Sequence, residues 1–556
     1  MLKKCFVVLA TWGQPVYWGD ANYHYDGTSL YTCCSLMVLL KRIVDGYVVS
    51  SVKRVYLFGL DSVVDTNRVS EFCRKGDGGS ICRNVVCRYI ENGYRFDDGC
   101  FSDYHRLIEG VSKFYEHVYK ELLEKSFEGS SYKDIIEGSS YKDIINSLRN
   151  VVKVVVLPAL GSPGGLFRFV GSVEDYVALS LISLGEDLAN LDKSLVGNCD
   201  NITVVFDSTH GINYSPVLTA KVSEIVAQIL RLRYNINVFL EIYNSDPYPP
   251  KSSSDKPELN INRVFEKHVT EIEIPRPDDL KDFVSFSKNS RCVEEAKRND
   301  KNLDNESTKN LRSVIDNKLK GIIKNVLASL YSPSPLALLY SCYDYQNYWK
   351  NRKDMCSSDS KCIKDFQELL SKIKNMWIEN VKIRDKCIER SISIKLNTLW
   401  SLLITDSVCR HVENLIDKHQ NPIYEIDQNT RSQAKNSIMF KLSLLKYLAE
   451  NIYTRINFAL NYLIQNEISI IEYLSKDKIK ENECREYREI SELKTVENTD
   501  KQHSQRISER NLIAHAGLLR DFVKICKQNN ELYIGYKDTE TIENIYKHLK
   551  NILKTV

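Results

Sequence analysis

The chain has 556 residues, 43% of them hydrophobic, which is ample for at least two domains with real cores and excludes a disordered chain. Its 76 basic and 73 acidic residues nearly cancel to a formal charge of +3, so any nucleic-acid contact must come from a local patch. No apolar run approaches the roughly 18 residues that span a bilayer, and the apolar core after Lys3 and Lys4 is too short for a signal peptide, so a cytoplasmic protein without membrane contact is expected.

Strand-like runs occur at residues 5–10, 52–58, 151–157, 202–206 and 237–242, with a helical segment at 32–43 between the first two. This alternation predicts an α/β fold with a parallel, doubly wound sheet. The gap from 61 to 150 is too long for a simple crossover and must hold an insertion, about 65–150, with a helix over 103–126. Inside it, residues 128–136 repeat as 137–145; a nine-residue period fits no solenoid, and a duplication in a tolerant surface segment accounts for it. Sixteen cysteines include no C-x-x-C pair, which argues against a zinc site. Small buried hydrophobes in a reducing cytosol are the leading reading, with disulfides the alternative.

Composition changes near Pro275-Arg276-Pro277. Residues 276–312 mix both charges densely and read as a linker or small connecting unit. From 313 to 556 helical period dominates, most clearly at 432–464 and 507–525. The tyrosine-rich stretch 340–349 reads as an aromatic core seam, with RNA stacking as the alternative. His411, His419 and His503 read as surface residues.

The turn after the 202–206 run is dense in small polar groups: Asp207, Ser208, Thr209, His210, Gly211 and Asn213. Apolar residues then recur at helical spacing from Val217 to Ile229. A strand ending in such a turn and opening a helix puts backbone N–H groups and a positive dipole end at the carboxyl edge of the sheet, where open α/β folds bind anions. No G-x-G-x-x-G triplet is present, so the turn is not a dinucleotide fingerprint.

The turn resembles the D-x-T-H-G signature of CARF domains found in CRISPR-associated proteins. The segment from Phe6 through Thr11, Trp12, Gly13, Gln14 and Pro15 is similar to the first strand and loop of the same family, and residues 238–249 and 259–264 are similar to later segments of it. Near the carboxyl end, Arg510-Asn511-Leu512-Ile513-Ala514-His515 resembles the R-x(4–6)-H motif of HEPN ribonucleases. The order of the two looks like the Csx-type CARF–HEPN ribonucleases of type III CRISPR systems. The resemblance implies a Rossmann-like ligand-sensing domain over 1–275 and a helical ribonuclease domain over 313–556.

The resemblance also implies a cyclic oligoadenylate, expected to be the tetraadenylate, as allosteric activator, with no metal or other catalytic cofactor. Its expected contacts are Thr11, Trp12, Gly13, Gln14, Asp207, Ser208, Thr209, His210, Gly211 and Asn213, with phosphates on the backbone amides of 209–213 and the Thr209 hydroxyl. The expected substrate is single-stranded RNA and the catalytic set Arg510, Asn511 and His515. Histidine suits proton transfer near neutral pH, and the planar arginine fork suits a phosphate. At about 100° per residue Arg510 lies about 140° from His515, so one helix does not aim both at one atom. That favours a composite site in a homodimer or higher homo-oligomer. The alternative is a messenger-controlled, non-catalytic nucleic-acid-binding regulator.

Overall fold

The computed structural model describes residues 3–47, 49–64, 73, 80–91, 103–127, 141–163, 167–190, 199–249, 256–276, 283–286, 315–356, 362–384, 386–390, 392–418, 423–425, 438–475, 478–486 and 509–555. The chain divides into two units: Met1–Val269 with Asp282–Val314 and Gln367–Leu396, and Thr270–Lys281 with Ile315–Phe366 and Asn397–Val556. Residues 367–396, which the sequence places inside the helical half, therefore pack with the first unit.

The first unit is built on an eight-stranded sheet in the order β3-β2-β9-β8-β7-β1-β4-β5. Its strands are β1 (Lys4–Trp12), β2 (Ala21–Tyr25), β3 (Thr28–Thr32), β4 (Val52–Leu60), β5 (Val152–Leu157), β7 (Asn201–Asp207), β8 (Asn237–Ser245) and β9 (Glu258–His268); β6 (Arg168–Val170) lies outside it. The five predicted strands form the parallel core, pairing in the order β8-β7-β1-β4-β5. The three central strands β7, β1 and β4 are buried along nearly their whole length, as strands covered on both faces must be, while β8 and β5 are buried only in part. Helices α1 (Ser35–Gly46), α2 (Ile81–Glu91), α3 (Tyr104–Phe127), α4 (Tyr141–Asn150), α5 (Glu174–Asn190) and α6 (Ser215–Tyr234) make the connections. The chain leaves β1 toward β4 on one side and returns to β7 on the other, so the topological switch point lies at β1. The duplicated stretch lies outside the described residues up to 140, and residues 141–145 open α4.

Residues 366–396 supply α9 (Phe366–Glu379), β11 (Val381–Arg384), β12 (Cys387–Arg390) and β13 (Ile392–Ile394). Strand β12 adds to β6 in parallel, and β13 pairs with β10 (Val284–Phe286). Apart from 276 and 283–286, the charged segment 276–312 lies outside the described residues.

The second unit packs α7 (Asn317–Tyr331), α8 (Pro335–Met355), α10 (Leu396–Lys418), α11 (Leu442–Leu448), α12 (Phe458–Ser475), α13 (Glu509–Ala514) and α14 (Thr539–Thr555). It also carries an antiparallel sheet that the helical periodicity did not predict, in the order β14-β15-β18-β17-β16. These are β14 (Ile423–Glu425), β15 (Ile438–Lys441), β16 (Glu483–Glu486), β17 (Val523–Gln528) and β18 (Glu531–Tyr536). The expected helix over 507–525 is therefore a single short helix followed by a turn and a strand. Likewise, of the stretch expected as helix over 432–464, residues 432–437 lie outside the described residues and 438–441 form β15 before α11 begins.

Two further expectations are corrected. His411 is buried at 4% exposure within α10, since its face of the helix is covered by core; His419 and His503 lie outside the described residues. The cysteines are largely paired: Cys5–Cys199, Cys33–Cys82, Cys73–Cys87, Cys342–Cys409, Cys356–Cys362 and Cys484–Cys526 are bonded, and Cys34 is free and buried. Folding brings together residues as far as 194 positions apart, which spacing cannot foretell. The aromatic seam is found as read, with Tyr340, Tyr345 and Tyr348 buried along α8.

Candidate functional site

At the carboxyl edge of the parallel sheet, a cleft of about 450 Å³ is lined by residues that immediately follow the strand ends. Gln14, Tyr17 and Trp18 follow β1, Ser62 follows β4, Ala159 and Leu160 follow β5, and Ile212, Asn213 and Tyr214 follow β7. Two loops form one wall because the Gly13 N–H donates to the His210 carbonyl at 2.8 Å. Gly211 lets the turn pass close to its neighbours: a Cβ there would stand 2.4 Å from both Pro216 Cγ and Thr11 Oγ1. Asn213 takes a left-handed conformation, φ 53°, which lets the chain swing from the turn into α6.

The polar groups of the turn are mostly engaged with one another. Asp207 is 1% exposed; its carboxylate accepts from the Ser35 hydroxyl at 2.7 Å and from the Thr209 N–H at 3.1 Å. Burial nevertheless pushes its carboxyl above the ordinary range, against the pull of those hydrogen bonds. Ser208 donates to the Tyr243 carbonyl, and the Thr209 hydroxyl accepts from the Ser245 N–H at 3.1 Å. The His210 ring stacks on Trp18 at 4.1 Å, and its Nε2 accepts from the Ser35 N–H. The residue keeps some exposed surface, but enclosure of the ring pushes the imidazole down to about 3.

The expected ligand set thus separates into layers. Gln14 and Asn213 line the cleft; Gly13, Ser208, Thr209, His210 and Gly211 build its wall. Thr11 and Trp12 are buried at 0% and 2% exposure, with Trp12 packed against Trp18, Tyr115 and Tyr119. They support the edge and are not on its surface, because β1 is covered on both faces to its last residue. Sequence reading missed Tyr17, Trp18 and Tyr214, aromatic residues whose neighbours carried the signature but which belong to no motif themselves.

In the second unit, α13 carries Arg510, exposed, and Asn511, partly buried, and ends one residue before His515. The helix stops in a Schellman-type turn: Gly517 N–H donates to Leu512 O at 2.8 Å and Ala516 N–H to Ile513 O at 3.3 Å. Ala516 and Gly517 both have positive φ, 49° and 71°. A left-handed alanine carries strain of about 1 kcal/mol, of the kind that collects at functional sites. Leu512, Ala516, Leu519 and Val523 are all fully buried, so the apolar stripe holds although it runs through helix, turn and strand.

His515 Nδ1 lies 3.4 Å from the Glu467 carboxylate on α12, with side chains 32% and 12% exposed respectively. A carboxylate at Nδ1 favours the tautomer protonated there, which would leave Nε2 as the nitrogen able to accept a proton. Sequence reading did not find Glu467, which sits 48 residues upstream in an ordinary amphipathic pattern. Beyond the turn, the Tyr536 hydroxyl donates to the Gly517 carbonyl at 3.2 Å, and Tyr340 stacks on Tyr536 at 5.4 Å.

The CARF-domain model of CRISPR system endoribonuclease Csx1 matches residues 7–247, which hold the cleft and most of the sheet, and the HEPN-domain model of the same family matches residues 457–538, which hold Glu467 and the Arg510–His515 motif. The CRISPR system endoribonuclease Csx1 of Methanocaldococcus jannaschii is 25% identical over 421 residues, covering 72% of this chain and 76% of the relative. With both domain models matched in order on one fold, the chain belongs to the CARF–HEPN ribonucleases of type III CRISPR systems.

Proposed function

We propose that this CRISPR-associated endoribonuclease is activated by a cyclic oligoadenylate and cleaves single-stranded RNA without a metal ion. The observation that carries the reading is the arrangement at the end of α13: Arg510 exposed on the helix and His515 just past its last residue, with Glu467 against Nδ1. The ribose 2′-oxygen attacks the adjacent phosphorus as its proton passes to a histidine Nε2. The P–O5′ bond breaks, and the departing 5′-oxygen takes a proton from a second acid. Arginine steadies the charge that builds on the phosphoryl oxygens, and Asn511 orients the phosphate. The products are a 2′,3′-cyclic phosphate and a 5′-hydroxyl. Because one helix separates Arg510 and His515 by about 140°, a second copy of the chain supplies the complementary histidine.

The ligand reading draws on the cleft at the switch point. Its volume of about 450 Å³ suits part of a ring of nucleotides, with a second copy taking the rest. Trp18 and Tyr214 offer aromatic faces to adenines, and Gln14 and Asn213 offer side-chain amides. Thr209 is a brace in this scheme, since its N–H and hydroxyl already bind Asp207 and Ser245.

The test is cleavage of single-stranded RNA with and without cyclic tetraadenylate and cyclic hexaadenylate. One ring should stimulate cleavage, and a 2′-deoxy sugar at the scissile position should block it. Cleavage of the deoxy substrate at the same rate rules out attack by the 2′-hydroxyl. Binding of a ring with no cleavage of any RNA would favour the non-catalytic regulator.

A further inference from the structure

We propose that Arg390 is a positioning residue that couples occupancy of the cleft to the nuclease motif, an inference that rests on the ligand-activated reading above. Arg390 lies on β12, in the segment that leaves the sequence of the helical half and packs with the first unit. Its guanidinium is 1% exposed and forms an ion pair with Asp61, itself fully buried. It also donates to the Ala159 carbonyl at 2.7 Å, while Asp61 accepts from the Ala159 N–H at 2.8 Å and from the Tyr104 hydroxyl at 2.7 Å. Both backbone groups of Ala159 are therefore held by one buried ion pair. The rings of Tyr104 and Phe169 cover the guanidinium at 5.8 and 5.7 Å.

Ala159 lines the cleft, and Asp61 stands between two other lining residues, Leu60 and Ser62. A ligand that shifts the β4–β5 wall of the cleft must shift Arg390 with it. From Arg390 the chain runs through β13, where the Ile394 N–H donates to Asp175 and the Ile392 carbonyl accepts from Trp377, directly into α10. Helix α10 is fastened to α8 by the Cys342–Cys409 bond and by the Tyr345 hydroxyl on Asp406 at 2.9 Å. Tyr340 of α8 stacks on Tyr536, whose hydroxyl holds the Gly517 carbonyl two residues after His515. The path is covalent or hydrogen-bonded at nearly every step, and it ends on a turn that Ala516 holds at positive φ.

A purely structural role for the pair is separable by experiment, because a buried ion pair replaced on both sides at once is often tolerated, whereas one orphaned charge is not. The variant is therefore the double substitution Asp61→Asn with Arg390→Met, in the full chain. Asparagine keeps an acceptor for Ala159, and methionine fills the arginine stem. Affinity for cyclic tetraadenylate or hexaadenylate should stay within about threefold of wild type, while ring-stimulated RNA cleavage falls about tenfold or more toward the ring-free rate. Stimulation equal to wild type overturns the coupling role alone. A wild type that neither ring stimulates overturns the underlying reading, and the coupling with it. Hydrogen exchange on the unmodified protein gives a second readout that needs no variant to fold: ring binding should change protection of the 392–394 amides about tenfold, and unchanged protection there overturns the proposal.

Discussion

Substituting Gly211 by alanine tests whether the turn after β7 forms the wall of the ligand cleft. The added Cβ would meet Pro216 Cγ and Thr11 Oγ1, each at 2.4 Å, where 3.4 Å is ordinary contact. Something must move by about 1 Å, and neither neighbour yields easily: the proline ring opens α6, and Thr11 is fully buried on β1. Overpacking of this kind costs about 1–3 kcal/mol. For a unit of this size that lowers the melting temperature by about 2–6 °C. The same displacement moves Asn213 and Ile212, so affinity for the cyclic oligoadenylate should fall about tenfold or more, equivalent to about 1.4 kcal/mol. Gly27→Ala is the control. Its φ of 78° strains an alanine by about 1 kcal/mol, but nothing lies within 4 Å and the residue does not line the cleft. Scanning calorimetry and ring-binding titration on both variants decide the matter. A Gly211→Ala protein with wild-type melting temperature and affinity would refute the packing argument.

Two other perturbations separate roles at the two sites. Glu467→Gln should lower kcat about tenfold or more with KM unchanged, a share of the roughly 10²–10⁴ that a positioned acid–base group supplies; an unchanged kcat would mean that the carboxylate does not orient His515. His210 predicts acid lability of the first unit. Its folded value is pushed down to about 3 from the ordinary 6.5, so below about pH 6.5 the unfolded chain takes up a proton that the folded chain refuses. Stability from this group is present above that pH and falls by about 1.4 kcal/mol per pH unit on acidification toward 3. His210→Asn should flatten the melting-temperature profile between pH 7 and 5 relative to wild type, and parallel profiles would show that the ring is not held neutral.

The parallel core was legible because each of its strands is a short β-branched run that must be covered on both faces, and such runs differ visibly from their polar surroundings. The β2–β3 hairpin was equally available: Asp26-Gly27, at φ 45° and 78°, is the turn that joins two right-twisted strands, yet its strands mix tyrosine and asparagine with no apolar run. In the second unit the sheet was hidden because β17 and β18 are only six residues each and do not alternate cleanly, too short to oppose a helical period. The Asn529-Asn530 pair between them, both at positive φ, was the missed signal. The end of α13 was missed because the left-handed position holds alanine and not glycine. At the sites, spacing named residues that share a motif, Arg510, His515 and the 207–213 turn. It could not name Glu467, Trp18 or Arg390, which reach their places through tertiary contacts 48 to 329 residues apart.

The central claim is that Arg510 and His515, completed by a second copy of the chain and switched by the cleft of the first unit, cut RNA without a metal ion. RNA cleavage by wild type, His515→Ala and Arg510→Ala, each with EDTA and saturating cyclic oligoadenylate and each checked for ring binding, measures it most directly. The account predicts full wild-type cleavage in EDTA, cleavage abolished in both variants, and ring affinity unchanged in all three. Activity lost in EDTA and restored by Mg²⁺, or cleavage persisting in His515→Ala, would contradict it.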